Sequence, residues 1–89
     1  MSESIVIPEN GLTITRVFAV TTIVRASTVP PEEGPVVGRL ELTVSKQQDE
    51  APLSRKGIGS EVEVVVEPGT YDITARQVVA GDYLLEIEE

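Results

Sequence analysis

The side chains that most often carry enzymatic or metal chemistry are scarce in this chain. Histidine and cysteine are both absent, so the usual general base, the thiol nucleophile and the preferred zinc ligands are missing. Reactive chemistry would have to come from carboxylates, from Lys46 and Lys56, or from tyrosines and serines. The sequence therefore predicts a protein that is not an enzyme, has no cofactor and contains no recognisable set of metal ligands.

Carboxylates occur as neighbouring pairs in two polar stretches. Glu32 and Glu33 lie in a proline-rich segment, and Asp49 and Glu50 lie in a later polar one. Neither stretch has the alternating Asp or Asn positions and distal Glu of a calcium loop, which leaves only a weak calcium site open. We interpret both pairs as solvated loop residues.

Arg55 and Lys56 form a local basic spot on an acidic chain. The following Gly57-Ile58-Gly59 lacks the spacing and the strand-to-helix context of a phosphate loop. Two interpretations stay open: a contact for an acidic patch of a partner, or a solvated mobile loop.

The elements that position these residues are organised around a corner at Pro68-Gly69. Alternating valines precede it and an alternating run beginning with Tyr71 follows it. Pro68 presets φ for an unprimed turn and Gly69 supplies the positive φ of type II. Such a turn matches a tight hairpin poorly. The pattern predicts that Glu67 to Thr70 carries the chain from one sheet to another.

The string from Val66 to Ala75, VEPGTYDITA, resembles the E-to-F corner of immunoglobulin-like and fibronectin type III domains. The resemblance implies an antiparallel β-sandwich. It also implies that the Tyr71 hydroxyl bonds to a backbone group a few residues upstream.

Other alternating runs extend the prediction to a single domain over residues 1–89. Leu12 to Ala26 is rich in Thr, Val and Ile, and its length predicts a strand bent or split near Arg16 or Thr21. Val36 to Lys46 also alternates. Gly81-Asp82 suits a tight primed hairpin before a last strand. With no helical stretch, we expect an all-β fold: a small antiparallel β-sandwich of six or seven strands, immunoglobulin-like.

Two segments are predicted to be connections. Ser27 to Pro35 is too rich in proline for helix or paired strand. Gln47 to Ser60 is polar and contains glycine, which indicates a loop of about 14 residues.

Two groups of apolar residues are candidates for contact with a partner. Ile5, Val6 and Ile7 make the N-terminus more apolar than a free tail needs, so residues 1–11 are either an edge strand or an extended docking arm. Val17, Ala19 and Ile23 occupy the second face of the Leu12 to Ala26 run. They indicate either a subunit contact or a central strand covered by its own loops.

The charge of the chain limits its partners. Fifteen acidic residues against seven basic ones give a net charge of -8, which disfavours nucleic acid and anionic membranes. Three aromatic residues offer no stacking platform for bases or sugars. The first ten residues lack the features of a secretory signal, and no apolar run is long enough to span a membrane. We expect a chain made in the cytoplasm without a signal peptide.

These observations favour a non-enzymatic structural or assembly protein. The specific hypothesis is a small virion component, such as a capsid decoration or cementing protein, whose partner is a capsid shell or further copies of the chain. The alternative is a β-sandwich module that binds carbohydrate or protein, as part of a larger adhesin or enzyme.

Overall fold

The fold consists of β-strands that follow the alternating pattern of the sequence. The computed structural model describes residues 2–29, 38–47 and 54–89, with the backbone alone at 54–56. No helix long and apolar enough to cross a membrane occurs among these residues. Eight strands lie within these ranges: Ser2–Val6 (β1), Leu12–Phe18 (β2), Thr22–Thr28 (β3), Arg39–Lys46 (β4), Ser54–Gly59 (β5), Glu61–Val66 (β6), Gly69–Val79 (β7) and Tyr83–Glu88 (β8).

The strands form two four-stranded antiparallel sheets. The β1 sheet has the order β1-β8-β3-β6, and the β2 sheet has the order β2-β7-β4-β5. Only β4 and β5 are consecutive strands paired within one sheet, so every other connection between the described strands crosses from one sheet to the other. The all-β, antiparallel, two-layer prediction is confirmed, whereas the predicted strand count of six or seven is wrong.

The core lies between the two sheets and takes equal numbers of buried apolar side chains from each. The β1 sheet contributes Val24, Ala26, Val64, Val66, Tyr83, Leu85 and Ile87, and the β2 sheet contributes Phe18, Leu40, Leu42, Val44, Tyr71, Ile73 and Ala75. The alternation in β4, β6 and β8 predicted these inward positions correctly. Apolar surface removed from water by this packing is the main source of stability in a domain of this kind.

The Pro68 corner joins the two sheets as the sequence predicts. β6 ends in the β1 sheet and β7 begins in the β2 sheet, and Gly69 has a φ of 153°, which favours glycine. The Tyr71 hydroxyl donates a hydrogen bond of 2.7 Å to the carbonyl of Glu67, four residues upstream. This predicted hydrogen bond is confirmed.

The chain makes a second corner where the sequence predicts a hairpin. β7 and β8 belong to different sheets, so the predicted tight turn at Gly81-Asp82 is wrong. The Tyr83 hydroxyl lies against the carbonyl of Val79 and accepts a bond of 2.9 Å from the amide of Arg39. These contacts fix the corner between β7 and β8, and local turn chemistry alone does not reveal them.

The loop predicted from Gln47 to Ser60 contains a strand. β5 occupies Ser54–Gly59 and pairs with β4, while residues 48–53 lie outside the described part of the chain. A Cβ at Gly57 would lie 2.5 Å from Val62 Cγ1, so glycine is needed where β6 crosses over β5. Glycine at that position hides the alternation on which the sequence prediction depends.

The other boundaries follow the sequence more closely. The long Leu12 to Ala26 run splits at residues 19–21, near the predicted Thr21, into β2 and β3. The connection predicted from Ser27 begins later, because β3 continues to Thr28. The remainder of that segment, residues 30–35, lies outside the described residues.

Candidate interaction surface

The structure separates the three N-terminal apolar candidates. β1 pairs with β8 along its length, so this segment is the edge-strand alternative rather than a free arm. Ile7 is 2% exposed, and Ile5 packs against the core. Val6 is 70% exposed on the outer face of the β1 sheet. Of these three residues, Val6 alone is accessible to a partner.

Val17, Ala19 and Ile23 do not share a surface. Val17 lies on the outer face of the β2 sheet, whereas Ile23 is half-buried on the outer face of the β1 sheet. Ala19 is exposed in the connection between them. The chain crosses between sheets at residues 19–21, so odd positions before and after this crossing face opposite sides of the molecule.

Among the described residues, Val17 at the end of β2 is the most exposed of the large apolar side chains. Val17 is 73% exposed and Val20 is 49% exposed, and Ala19 lies between them. We call these three residues the Val17 patch. Val20 lies beyond the end of β2 at Phe18 and does not continue the alternation of that strand.

The Val17 patch is held by buried neighbours. The Phe18 ring is buried and stacks on Tyr71, with 5.7 Å between the ring centroids. The Thr22 hydroxyl, also buried, donates a 2.8 Å hydrogen bond to the carbonyl of Val20. The patch is therefore fixed to the core on both sides and presents its methyl groups without rearrangement.

Arg16 lies beside the patch in an unusual position. It falls on the inward side of β2 between Ile14 and Phe18, yet its side chain remains partly exposed. Its Nε donates to Glu3 Oε1 on β1 over 3.0 Å, and its Nη1 donates to the carbonyl of Thr15 over 2.9 Å. The guanidinium thus spans the side of the sandwich where the edge strands β1 and β2 face each other.

The outer face of the β1 sheet is acidic. Glu61, Glu63, Glu86 and Glu88 all project there, with Arg25 on the central strand between them. Arg25 lies opposite Glu63 in one neighbouring strand and Glu86 in the other.

Arg25 is paired most closely with Glu63. Its Nη2 lies 2.7 Å and its Nε 3.0 Å from Glu63 Oε2. The hydrogen bond to Glu63 and then the charge of that carboxylate raise the pKa of Arg25, with smaller contributions from Glu88 and Glu61. Arg25 therefore stays charged throughout the physiological range and offsets part of the repulsion on this face.

The outer face of the β2 sheet is rich in hydroxyl groups. Thr13, Thr74 and Thr43 form one row across three strands. Asp72 accepts hydrogen bonds from the Thr15 hydroxyl (2.7 Å) and the Gln47 amide (2.8 Å). The described charges on this face are few and close to balanced, since Arg76 pairs with Glu41 over 3.1 Å.

The predicted basic spot falls on β5. Arg55 pairs in register with Val44, and Lys56 pairs with Thr43. Their side chains lie outside the described part of the structure, so the choice between partner contact and solvated residues stays a prediction.

Within the described residues, no group of three acidic side chains is arranged to hold a metal ion. The paired carboxylates Glu32, Glu33, Asp49 and Glu50 lie outside those residues. Every buried side-chain nitrogen or oxygen that the structure describes has a hydrogen-bond partner. The features of the described surface that bear on recognition are the Val17 patch, the Arg16 bridge and the difference in charge between the two faces.

The fold and these surfaces define a small all-β domain of two antiparallel sheets with an exposed apolar patch at one edge. No protein-family model matches the sequence, and searches of curated proteins and of solved structures find no match. The function is therefore inferred from the chain's own surfaces.

Proposed function

We propose that this chain is a non-enzymatic assembly subunit that contacts protein partners through the Val17 patch. The observation that carries the proposal is the 73% exposure of Val17 beside the buried Phe18. Single exposed apolar residues are ordinary, and what supports a contact here is that Val17, Ala19 and Val20 are near neighbours in the chain and are all exposed. Covering Val17 and Val20 would remove apolar area from water at little entropic cost, because valine has few rotamers to lose.

The charge distribution supports contact on this side of the molecule. Copies of the chain that met through the outer face of the β1 sheet would bring Glu61, Glu63, Glu86 and Glu88 against the same residues of another copy. Juxtaposed like charges cost several kcal/mol at an interface, about the scale of a typical hot spot. The β2 sheet carries no comparable accumulation in its described residues, so the proposed contact avoids this penalty.

The particular assembly we propose is a virion, in which the chain decorates or cements a capsid shell or associates with further copies of itself. The support for this step is analogy with small β-sandwich decoration proteins. A protein partner is consistent with the apolar character of the patch.

We also propose that the likeness to immunoglobulin-like domains belongs to the corner rather than to the strand order. The Tyr71 to Glu67 hydrogen bond supports the corner. In an immunoglobulin-like order, the strand after the tyrosine strand lies beside it. Here β8 follows β7 but lies in the opposite sheet, next to β3.

Sedimentation velocity over a range of concentrations tests the proposed contact. We expect the wild-type chain to associate as its concentration rises, and Val17→Asp to remain monomeric with an unchanged circular dichroism spectrum. Val78→Asp is the matched control, because Val78 is also an exposed strand valine but lies at the far end of β7. Equal association of wild type and Val17→Asp would contradict the proposal.

A further inference from the structure

We propose that the free edge of β2 is a strand-addition site for β2 of a second copy, and that Arg16 and Glu3 close this site in the single chain. The inference rests on the proposed function and names the partner as an identical chain. Its starting point is the hydrogen bond from Arg16 Nη1 to the carbonyl of Thr15.

The four strands at the sheet edges differ in how well they suit addition. β2 has seven residues and is the longest of them, since β1 has five and β5 and β6 have six each. β6 carries Glu61 and Glu63 on its outward face. The outward residues of β2 are Thr13, Thr15 and Val17, which are all uncharged. A long edge without charges on its outer face is the most open to pairing with another chain.

The backbone of Thr15 is the centre of the free edge. In an antiparallel edge strand, alternate residues direct both N–H and C=O away from the sheet. Within the described residues β2 pairs only with β7. The contact with the Arg16 guanidinium, which lies on the open side, indicates that Thr15 is one of the outward-directed residues.

Arg16 occupies the place that an added strand would need. An inward-pointing charged residue on an edge strand is a known defence against unwanted pairing, because the charge must reach water past the edge. Here the guanidinium bonds to the Thr15 carbonyl and is held by Glu3 at 3.0 Å and 3.4 Å. The ion pair is partly exposed, with side-chain exposures of 37% and 45%, so it opens at small cost.

A second copy fits this edge without a clash of charge. Antiparallel pairing centred on Thr15 places each Thr13 opposite Val17 of the other copy, and each Arg16 opposite Ile14. The equivalent pairing of β6 centred on Glu63 would bring two carboxylates together. Addition at β2 would also join the two β2 sheets into one eight-stranded sheet and bring the Val17 patches of both copies to the same interface.

Arg16→Thr tests this inference, because it removes the guanidinium and leaves a residue that suits a strand. We expect the dimer dissociation constant from sedimentation equilibrium to fall by about tenfold, since each of the two copies no longer opens a partly exposed ion pair that is worth about threefold in affinity. Glu63→Gln is the control, since it breaks the Arg25 ion pair on the other sheet and should leave the dissociation constant unchanged.

A second change separates strand addition from other contacts. Adding Thr15→Pro to Arg16→Thr removes the outward N–H, and proline is tolerated at an edge position whose N–H faces solvent. We expect this double variant to lose the gain in affinity. Hydrogen exchange should show concentration-dependent protection of the Thr15 amide in Arg16→Thr.

The two proposals fail in different ways. If Arg16→Thr dimerises no better than wild type, or if its Thr15 amide gains no protection, strand addition is overturned. In that case a loss of association in Val17→Asp would still support the Val17 patch as a contact. If neither Val17→Asp nor Arg16→Thr alters association, both proposals are overturned.

Discussion

The two sheets are built alike on the inside and differ on the outside. Each supplies seven buried apolar residues to the core. Each also carries one tyrosine whose hydroxyl bonds to the backbone four residues upstream, Tyr71 to Glu67 and Tyr83 to Val79. Outside, one face collects four glutamates around Arg25 and the other collects threonines and the exposed Val17.

This difference in charge between the outer faces is the basis of the contact that we propose. The negative charge of the β1 sheet opposes contact between copies through that face, whereas the outward residues of β2 carry no charge that would oppose it. Inner positions are determined by the need to exclude water from a shared core. Outer positions do not have this constraint, so differences between the two outer faces are the features that bear on function.

The largest effect on stability that we predict is a difference between substitutions of the two corner tyrosines, Tyr83 and Tyr71. Tyr83→Phe should destabilise the fold by about 2 kcal/mol, because it leaves partly buried backbone groups of both Arg39 and Val79 without their partner. Tyr71→Phe removes one hydrogen bond, to Glu67, and should cost about 1 kcal/mol. Urea unfolding of both variants measures the difference. Equal losses would show that the extra contacts of Tyr83 contribute nothing.

A smaller effect should distinguish the outer faces. Arg25→Ala leaves Glu61, Glu63, Glu86 and Glu88 without their counter-charge, so we expect a lower urea midpoint that added salt partly restores. Arg76→Ala on the other face is the control and should have less effect, because fewer like charges surround Arg76.

The effect of Arg25→Ala should not depend on pH near neutrality. Because the pKa of Arg25 is raised, the stability that its charge contributes is fully present below the ordinary arginine pKa and is lost only as pH rises through the raised value. The difference in urea midpoint from wild type should therefore be the same at about pH 6 and about pH 9. A charge-based role for Arg25 would be contradicted if the difference in urea midpoint between Arg25→Ala and wild type did not change with salt concentration.

Sequence alternation predicted the inner side of the fold well. Leu40, Leu42 and Val44 were placed correctly because one face of their strand meets only apolar neighbours. Pro68 and Gly69 marked the first corner by their own backbone preferences. These signals are local, and a local pattern suffices where a strand has one buried face.

The signals that failed depend on residues distant in sequence. Gly57 breaks the alternation of β5 because Val62 of another strand lies over it. The second corner depends on the contact of Tyr83 with Arg39, 44 residues away. The candidate contact residues Val17 and Ile23 lie on opposite faces of the molecule, because the chain crosses from one sheet to the other after Phe18. The sequence shows Arg16 as a charged residue within an apolar run, but it does not indicate that Glu3 is the partner of Arg16.

The central claim is that association uses the β2 edge and the Val17 patch rather than the acidic face. Backbone amide chemical shifts of the wild-type chain, recorded by NMR from dilute to concentrated solution, test it directly. We predict that the concentration-dependent shifts centre on Thr15, Val17 and Val20. Shifts centred instead on Glu63, Arg25 and Glu86 would contradict the account.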